Sequence, residues 1–316
     1  MRQLEDLKIV FMGTPEFAVT SLQRLLENQI PVVGVVTGPD KPSGRGLQMQ
    51  PTPVKKLARH ASLPILQPDK LRDPQFIHNL REWQADLLVV VAFRILPPEI
   101  FTIPPLGTIN VHAALLPKYR GAAPIQWAII NGERETGVTT FFIEEKVDAG
   151  DMILQRKIGI GEFETAGELH DRMAVLGADL LVETLAQIAS GAAQRQRQVG
   201  EISLAPKITK EMAGIDWKKP SREIFNFIRG MNPAPGAFTK WQGHNLKIFR
   251  AHIIDEVNDR REAGMIVRAN AKEGELIAQT GRGQLAIDEV QIEGKRRLPA
   301  AEFLRGHKIT PAEKLG

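Results

Sequence analysis

Through its first 150 residues the chain alternates short apolar runs with stretches whose apolar positions recur every three or four residues. LKIVFMG (7–13) is an unbroken apolar run and predicts a buried strand. Thr14-Pro15-Glu16 then predicts a helix start, with Thr14 as N-cap, Pro15 at the first helical position and Phe17, Ala18, Leu22, Leu25 and Leu26 on one face. VVGVVT (32–37), PILQ (64–67), DLLVVVAF (86–93), TINVH (108–112) and GVTTFFIEE (137–145) read as further strands. Helix-like spacing at 53–61, in PQFIHNLREW and in PIQWAIING separates several of them. This repetition predicts an α/β unit: a Rossmann-like, doubly wound, mostly parallel sheet whose ligand cleft lies beyond the carboxyl ends of the strands.

A long helix is predicted over 165–190, where Leu169, Met173, Leu176, Leu180, Leu181, Leu185 and Ile188 keep helical spacing. The polar stretch GAAQRQRQVGE reads as a linker. Beyond it the texture changes to a helix around SREIFNFIRGM and short strands (HNLKIFRAHII, AGMIVRAN, ELIAQTG, QLAIDEVQIEG) divided by glycine turns about every ten residues. That spacing predicts a small antiparallel β-barrel, OB-like, or a sandwich. The expected division is a first domain over 1–189, a linker over 190–207 and a C-terminal barrel-like domain over 208–316.

Charge follows this division. The net +4 is made of 21 Lys and Arg against 23 Asp and Glu up to residue 204, and 20 against 14 from Ala205 onward. The basic character therefore belongs to the C-terminal part. It suggests a polyanionic partner, nucleic acid before a membrane surface, and a solvated basic surface explains it equally well. The 316 residues include no cysteine, which excludes a disulfide scaffold, a thiol nucleophile and cysteine-held zinc or iron-sulfur centres. The amino-terminal run is short and flanked by acidic residues, and no stretch approaches ~18 uninterrupted apolar residues. The expectation is a cytoplasmic protein without membrane attachment.

Three polar residues stand out as candidate chemistry. Asn110 and His112 lie two apart on a predicted strand, so they share a face, and His112 falls at the strand's carboxyl end. An amide beside an imidazole offers donors to a developing oxyanion and a group that titrates near neutral pH. Asp148, in VDAGDM after GVTTFFIEE, is expected to emerge at a carboxyl end as well, where its carboxylate could orient the imidazole; alone, it reads equally as a turn former. No serine or cysteine in these motifs sits where a nucleophile is needed, which favours direct transfer to an external nucleophile. The first turn, MGTPEF, lacks the three-glycine dinucleotide fingerprint and so disfavours a nicotinamide or flavin oxidoreductase. Gly13 could still present a backbone donor at a helix start, or serve only as a small residue in a tight turn.

IVFMGTPEFA, PDKPSGRG, PTPVKKLA, INVHAALLPKYRGAAPIQWAIINGE, VDAGDM, KITKEMAGIDW and NPAPGAF together span nearly the whole chain, and in this combination the sequence resembles the formyltetrahydrofolate-dependent formyltransferases, in their tRNA-acting branch. The resemblance implies transfer of a formyl group from 10-formyltetrahydrofolate to the α-amine of methionine on initiator tRNA, without a metal; the protein is expected to be a monomer. It implies that Asn110 and His112 polarise the formyl oxygen and that Asp148 keeps His112 oriented and assists proton removal. By the same resemblance Gly13, Phe93, Ala114, Leu115, Leu116 and Pro117 would line the folate site. Lys41 and Arg45 in the loop 38–50 would meet the tRNA acceptor end. Lys207 and Lys210, with Lys218, Lys219, Arg222 and Arg229, would bind its backbone. Three departures stand against the family pattern. Ala114 replaces a usual serine, a glycine expected between Phe93 and Arg94 is absent, and Ala234 replaces an aromatic. The rival readings are a folate formyltransferase or formyltetrahydrofolate hydrolase acting on a small molecule, and a non-catalytic RNA-binding protein. The resemblance implies that small-molecule relatives lack the basic C-terminal module that Ala205–Gly316 would supply here.

Overall fold

A computed structural model describes residues 3–43, 48–257 and 261–316. They form two compact units, one of Met1–Gly121, Thr136–Gly159 and His170–Leu204, the other of Ala122–Glu135, Ile160–Leu169 and Ala205–Gly316.

The elements in chain order begin with β1 (Ile9–Gly13), α1 (Glu16–Glu27), β2 (Val32–Val36), a hairpin of β3 (Lys41–Ser43) and β4 (Gln48–Gln50), α2 (Pro53–His60) and β5 (Ile65–Leu66). There follow α3 (Pro74–Glu82), β6 (Leu87–Val91), α4 (Pro98–Phe101), β7 (Thr108–His112), β8 (Arg120–Gly121), α5 (Pro124–Ile130), β9 (Glu135–Phe142), β10 (Met152–Gly159) and α6 (Ala166–Ser190). The sheet of the first unit has the order β10-β9-β7-β6-β1-β2-β5. β1 and β6 are buried along their whole length, as central parallel strands covered on both faces must be, which explains their unbroken apolar runs. Val10 and Met12 of β1, Val36 of β2 and Leu88 and Val90 of β6 pack with Phe76 and Leu80 of α3.

Two local expectations change. The α1 N-cap is Pro15, and the Thr14 hydroxyl instead accepts a bond from the Gly38 amide at 3.2 Å. β9 runs antiparallel to β7, pairing Ile109 with Phe142 and His112 with Thr139. A parallel β9 needs a crossover helix, and the helix before it, α5, belongs instead to the second unit, where it packs on α7 (Ser221–Gly230) and Gly230 lets Ile130 approach closely. α6 meets the sheet through Gly177, whose missing side chain leaves room for Val111 and Val138. α6 is long and apolar enough to cross a membrane by length and composition alone. Its Leu169, Met173, Leu180, Leu181 and Leu185 are nevertheless buried in protein, as in a core helix.

In the second unit, after β11 (Leu204–Ala205) and α7, β12 (Ala237–Trp241) and β13 (His244–Asp255) form a hairpin. Its turn, Gln242-Gly243, has positive φ at both residues, which matches the twist of the strands. β14 (Ile266–Asn270), β15 (Glu275–Gln279), β16 (Gln284–Ile292), β17 (Leu298–Pro299) and α8 (Ala300–Gly306) complete it. The antiparallel order is β12-β13-β16-β15-β14, with β17 on β16. Trp217, Ile224, Phe225, Leu246, Leu285 and Phe303 lie in its core. Among the described residues no strand ladder joins the edge strands β12 and β14 of this antiparallel unit. The tail spans the gap: Ala312 donates to Ile266 O, Leu315 to Gly264 O and Gly316 to Lys240 O. An exposed sheet edge is thereby covered.

Glu313 fastens this tail. Its carboxylate accepts from the Thr310 amide (2.7 Å) and hydroxyl (2.9 Å), from the Trp241 indole (3.0 Å) and from Gln242 (3.2 Å). These donors, the Thr310 amide foremost, hold its pKa below the ordinary 4.5. The folded state therefore gains stability above the ordinary value, and that gain is lost as pH falls through the lower folded value. Thermal unfolding followed between pH 6 and pH 3 should show this acid loss, and Glu313→Gln should lower the midpoint at pH 6 and flatten the slope.

Candidate active site

β7 lies inside the sheet between β6 and β9 and carries Asn110 and His112 on one face. Asn110 is half-buried, and its carboxamide has no hydrogen-bond partner among the described residues. His112 is 6% exposed. Its Nε2 lies 2.9 Å from the Tyr119 carbonyl, and because a carbonyl only accepts, Nε2 carries the hydrogen. The other ring nitrogen, Nδ1, faces Asp148 Oδ2 at 3.8 Å. That separation exceeds a hydrogen bond. The Phe141 ring meets the imidazole edge-on at 6.4 Å and closes its apolar side.

Asp148 reaches this position by a route different from the expected one. β9 ends beside the start of β7, where the Ile143 amide donates to Thr108 O, so the following loop has to turn back along the sheet to bring Asp148 to His112. Asp148 takes φ +50°, and its Oδ2 accepts from the Gly121 amide at 2.8 Å. Gln198 donates through Nε2 to Asp148 O and Gly150 O, each at 2.9 Å. Arg120 donates to Gln198 Oε1 at 2.7 and 3.2 Å. Ser203 accepts the Tyr119 amide at its hydroxyl (2.9 Å) and the Arg120 amide at its carbonyl (2.9 Å). The segment read as a linker therefore braces, with Gln198 and Ser203, both loops that bear on the histidine.

The loop after His112 is held from below. Thr139 on β9 donates to Ala114 O at 2.6 Å and accepts from the Leu116 amide at 3.2 Å, and Gln155 donates to both Leu116 O and the Thr139 hydroxyl. Ala114 has no exposed surface, Leu116 and Pro117 are buried, and Leu115, which packs on Gly137, retains some exposure. Direct side-chain contact with a ligand is thus open to Leu115 and not to Ala114. Gly13 ends β1, where an added Cβ would come within 2.6 Å of Ala18 and 3.0 Å of Val91 O. Close packing by Ala18, Phe11 and the Val91 carbonyl explains that glycine. Phe93 is half-buried at the end of β6, with the Arg94 guanidinium 5.2 Å over its ring. Arg94 donates to Pro68 O and Asp69 O, and burial pushes its pKa down. With no glycine in this turn, Ala92 takes the positive φ of +47°.

The stem of the loop 38–52 is built of charges. Asp40 accepts from Gln67 (2.8 Å) and Lys55 (2.6 Å), which together hold its carboxyl below the ordinary 3.8. Thr37 and Thr52 share a buried hydroxyl bond of 2.8 Å. Lys41 is exposed on β3, and Arg45 lies outside the described residues. In the second unit Lys207 and Lys210 are exposed. Arg229, expected as a phosphate contact, is instead 7% exposed and donates to Asn226 and to the carbonyls of Gly161 and Glu164, so it joins α7 to the segment before α6. Arg222 pairs with Glu256 and Lys219 with Glu223. Sequence reasoning missed Arg120, Thr139 and Gln198. Arg120 at least sits inside the quoted motif KYRGAAP, whereas Gln198, in a polar run, carried no local signal.

Comparison with known proteins decides the family. Residues 7–185 match the family described as formyl transferase, and residues 207–308 match the formyl transferase C-terminal domain. The chain belongs to the formyl transferase family. Its curated relatives include the methionyl-tRNA formyltransferases of Pelotomaculum thermopropionicum, 49% identical over 98% of this chain and 99% of the relative, and of Acetivibrio thermocellus, 46% identical over 98% and 100%. Among solved structures, HypX from Aquifex aeolicus in complex with tetrahydrofolic acid shares the fold at a TM-score of 0.64 and 19% identity, over 94% of this chain. The chain spans about half of HypX, 46% of its length. As a formyl-transferring enzyme the chain needs a donor for the formyl oxygen and an acceptor for a proton, and the Asn110 carboxamide and His112 Nδ1 are groups of those two kinds.

Two glycines test how tightly the Asp148 loop is set. A Cβ at Gly150 would fall 1.8 Å from the Phe142 carbonyl, whereas one at Gly159 meets nothing within 4 Å. Gly150→Ala should therefore cost about 1–3 kcal/mol of stability and Gly159→Ala almost nothing, measured by denaturant unfolding of the two variants beside the wild type.

Proposed function

We propose that this enzyme transfers the formyl group of 10-formyltetrahydrofolate to the α-amine of methionine on initiator tRNA, for translation initiation in the cytoplasm. The observation that carries the reading is the mutual coverage of 98% and 99% with a relative named methionyl-tRNA formyltransferase, which includes the C-terminal unit as well as the Asn110 and His112 unit.

The amine attacks as the free base, and an α-amino group with an ordinary pKa near ~8 needs little help to reach that form at neutral pH. Its lone pair forms the new bond to the formyl carbon, and the carbonyl pair moves onto oxygen. Asn110 donates to that oxygen; its amide has no competing partner to give up. His112 receives the amine proton at Nδ1, because Nε2–H is committed to Tyr119 O. The resulting Nδ1–H also faces the oxyanion, and the Asp148 carboxylate offsets the ring's charge. When the oxygen pair returns, the bond to N10 breaks and N10 takes the proton, leaving formylated methionyl-tRNA and tetrahydrofolate. No enzyme nucleophile and no metal take part.

The folate site is proposed over Gly13, Phe93 and Ala114 to Pro117, with Leu115 and Phe93 as contacts and the buried members as its frame. Lys41 and Arg45 are proposed at the acceptor end of the tRNA. Lys207 and Lys210 would meet its phosphates, where release of counterions makes binding sensitive to salt. The catalytic division is proposed as 1–189, followed by a connector over 190–207 and a tRNA-binding unit over 208–316, acting as a monomer.

The test is formylation by the purified protein with 10-formyltetrahydrofolate and charged initiator tRNA, beside uncharged tRNA and a small amine. Product on charged tRNA alone is expected, and Asn110→Ala or His112→Ala should lower kcat by ~10²–10³ with the fold retained. Formylation of the small amine but not of the tRNA would turn the assignment to the small-molecule rival. Wild-type turnover in folded His112→Ala would remove the proposed chemistry.

A further inference from the structure

Asp148 is held by a closed circuit of hydrogen bonds whose members come from three separate stretches of chain. Its carboxylate takes the Gly121 amide, Gly121 adjoins Arg120, Arg120 binds the oxygen of Gln198, and Gln198 returns its nitrogen to Asp148 O and Gly150 O. The backbone at Asp148 is left-handed, a conformation that residues with side chains adopt sparingly and that its surroundings here enforce. Gln198 supplies that enforcement on the backbone side. Along 194–200 it is half-buried while its neighbours are exposed, Val199 to 84%. The segment is itself anchored two residues earlier, where Gln196 and Met152 exchange both backbone bonds.

We infer that Gln198 is a positioning residue for Asp148 in the transfer reaction, fixing through its side-chain amide the carboxylate that faces His112 Nδ1. The inference rests on the formyl-transfer reading. Only an amide meets both demands at this point, since its oxygen accepts from Arg120 while its nitrogen donates to two carbonyls. A glutamate of the same shape would keep the Arg120 contact and lose both donors. The 3.8 Å gap between Asp148 and His112 would then no longer be held.

The test compares the full chain with Gln198→Glu, Gln198→Ala and the control Val199→Ala, by steady-state formylation and by hydrogen exchange at the Gly121 amide, which reports the bond to Asp148 directly. Misplacement of a reacting group by about an ångström costs up to ~10²-fold in rate, so kcat in both Gln198 variants should fall ~10–100-fold. KM for tRNA and folate should be unchanged, exchange at Gly121 should be faster, and Val199→Ala should match the wild type. Unchanged exchange at Gly121, or faster exchange with unaltered kcat, overturns the inference. So does an equal loss in Val199→Ala, which would point to the segment as a whole. Absence of formylation by the wild type would defeat the reading beneath it, a result distinct from an active wild type with unaffected variants.

Discussion

The hydrogen bond between His112 Nε2 and the Tyr119 carbonyl decides what the imidazole can do, and much of the first unit is arranged to make it. A carbonyl that accepts from Nε2 fixes the tautomer, so the nitrogen left with its lone pair is Nδ1, on the side of Asp148. Tyr119 must turn its carbonyl back toward the strand to do this, and it takes φ +58°. Its amide is then satisfied by the Ser203 hydroxyl, and the chain before it is clamped to Thr139. An imidazole 6% exposed with one nitrogen committed is held in one orientation, where a surface histidine would rotate between partners.

Around that bond the structure spends glycines on close approach. Gly137 lets Leu115 and the Arg156 carbonyl crowd onto β9, Gly150 lets the Asp148 loop press on Phe142, and Gly177 lets α6 lie against Val111 and Val138. Each removes a side chain at a point where backbone or helix has to come nearer than a Cβ permits. The result is a site whose parts come from β7, two loops and a distant strap, and whose precision depends on packing as well as on the polar bonds.

The strands and helices were legible because burial imposes periodicity. β1 and β6, covered on both faces, had to be continuous apolar runs, and α6 had to show an apolar stripe over nearly its whole length. Asn110 and His112 were legible for a similar reason, since a strand places alternate residues on one face. The direction of β9 was not, because nothing local in GVTTFF distinguishes a parallel from an antiparallel neighbour; the outcome was set by where α5 found its partner. The route of Asp148 went wrong with it, though the residue itself was named. Gln198 was illegible for a different reason: its meaning lies in carbonyls 48 and 50 residues away. Thr14 shows the reverse case, a residue with strong capping propensity drawn off by the Gly38 amide.

Charge counting needs the same correction. The excess of the C-terminal part is +6, yet many of its cations are already engaged. Arg222 pairs with Glu256, Arg250 with Glu168, Arg268 with Glu275, Arg297 with Glu289 and Lys314 with Glu262, while Arg229 is buried against neutral acceptors. A paired cation adds little to the field a distant phosphate feels, because its partner cancels it within a Debye length of about 8 Å. What remains to attract a polyanion is the smaller set without such partners. Lys207 is among them at the very start of the unit, exposed and joined to no carboxylate among the described residues. A net charge thus counts cations whose fields are already cancelled, whereas the pairing pattern separates these from the cations a polyanion would meet.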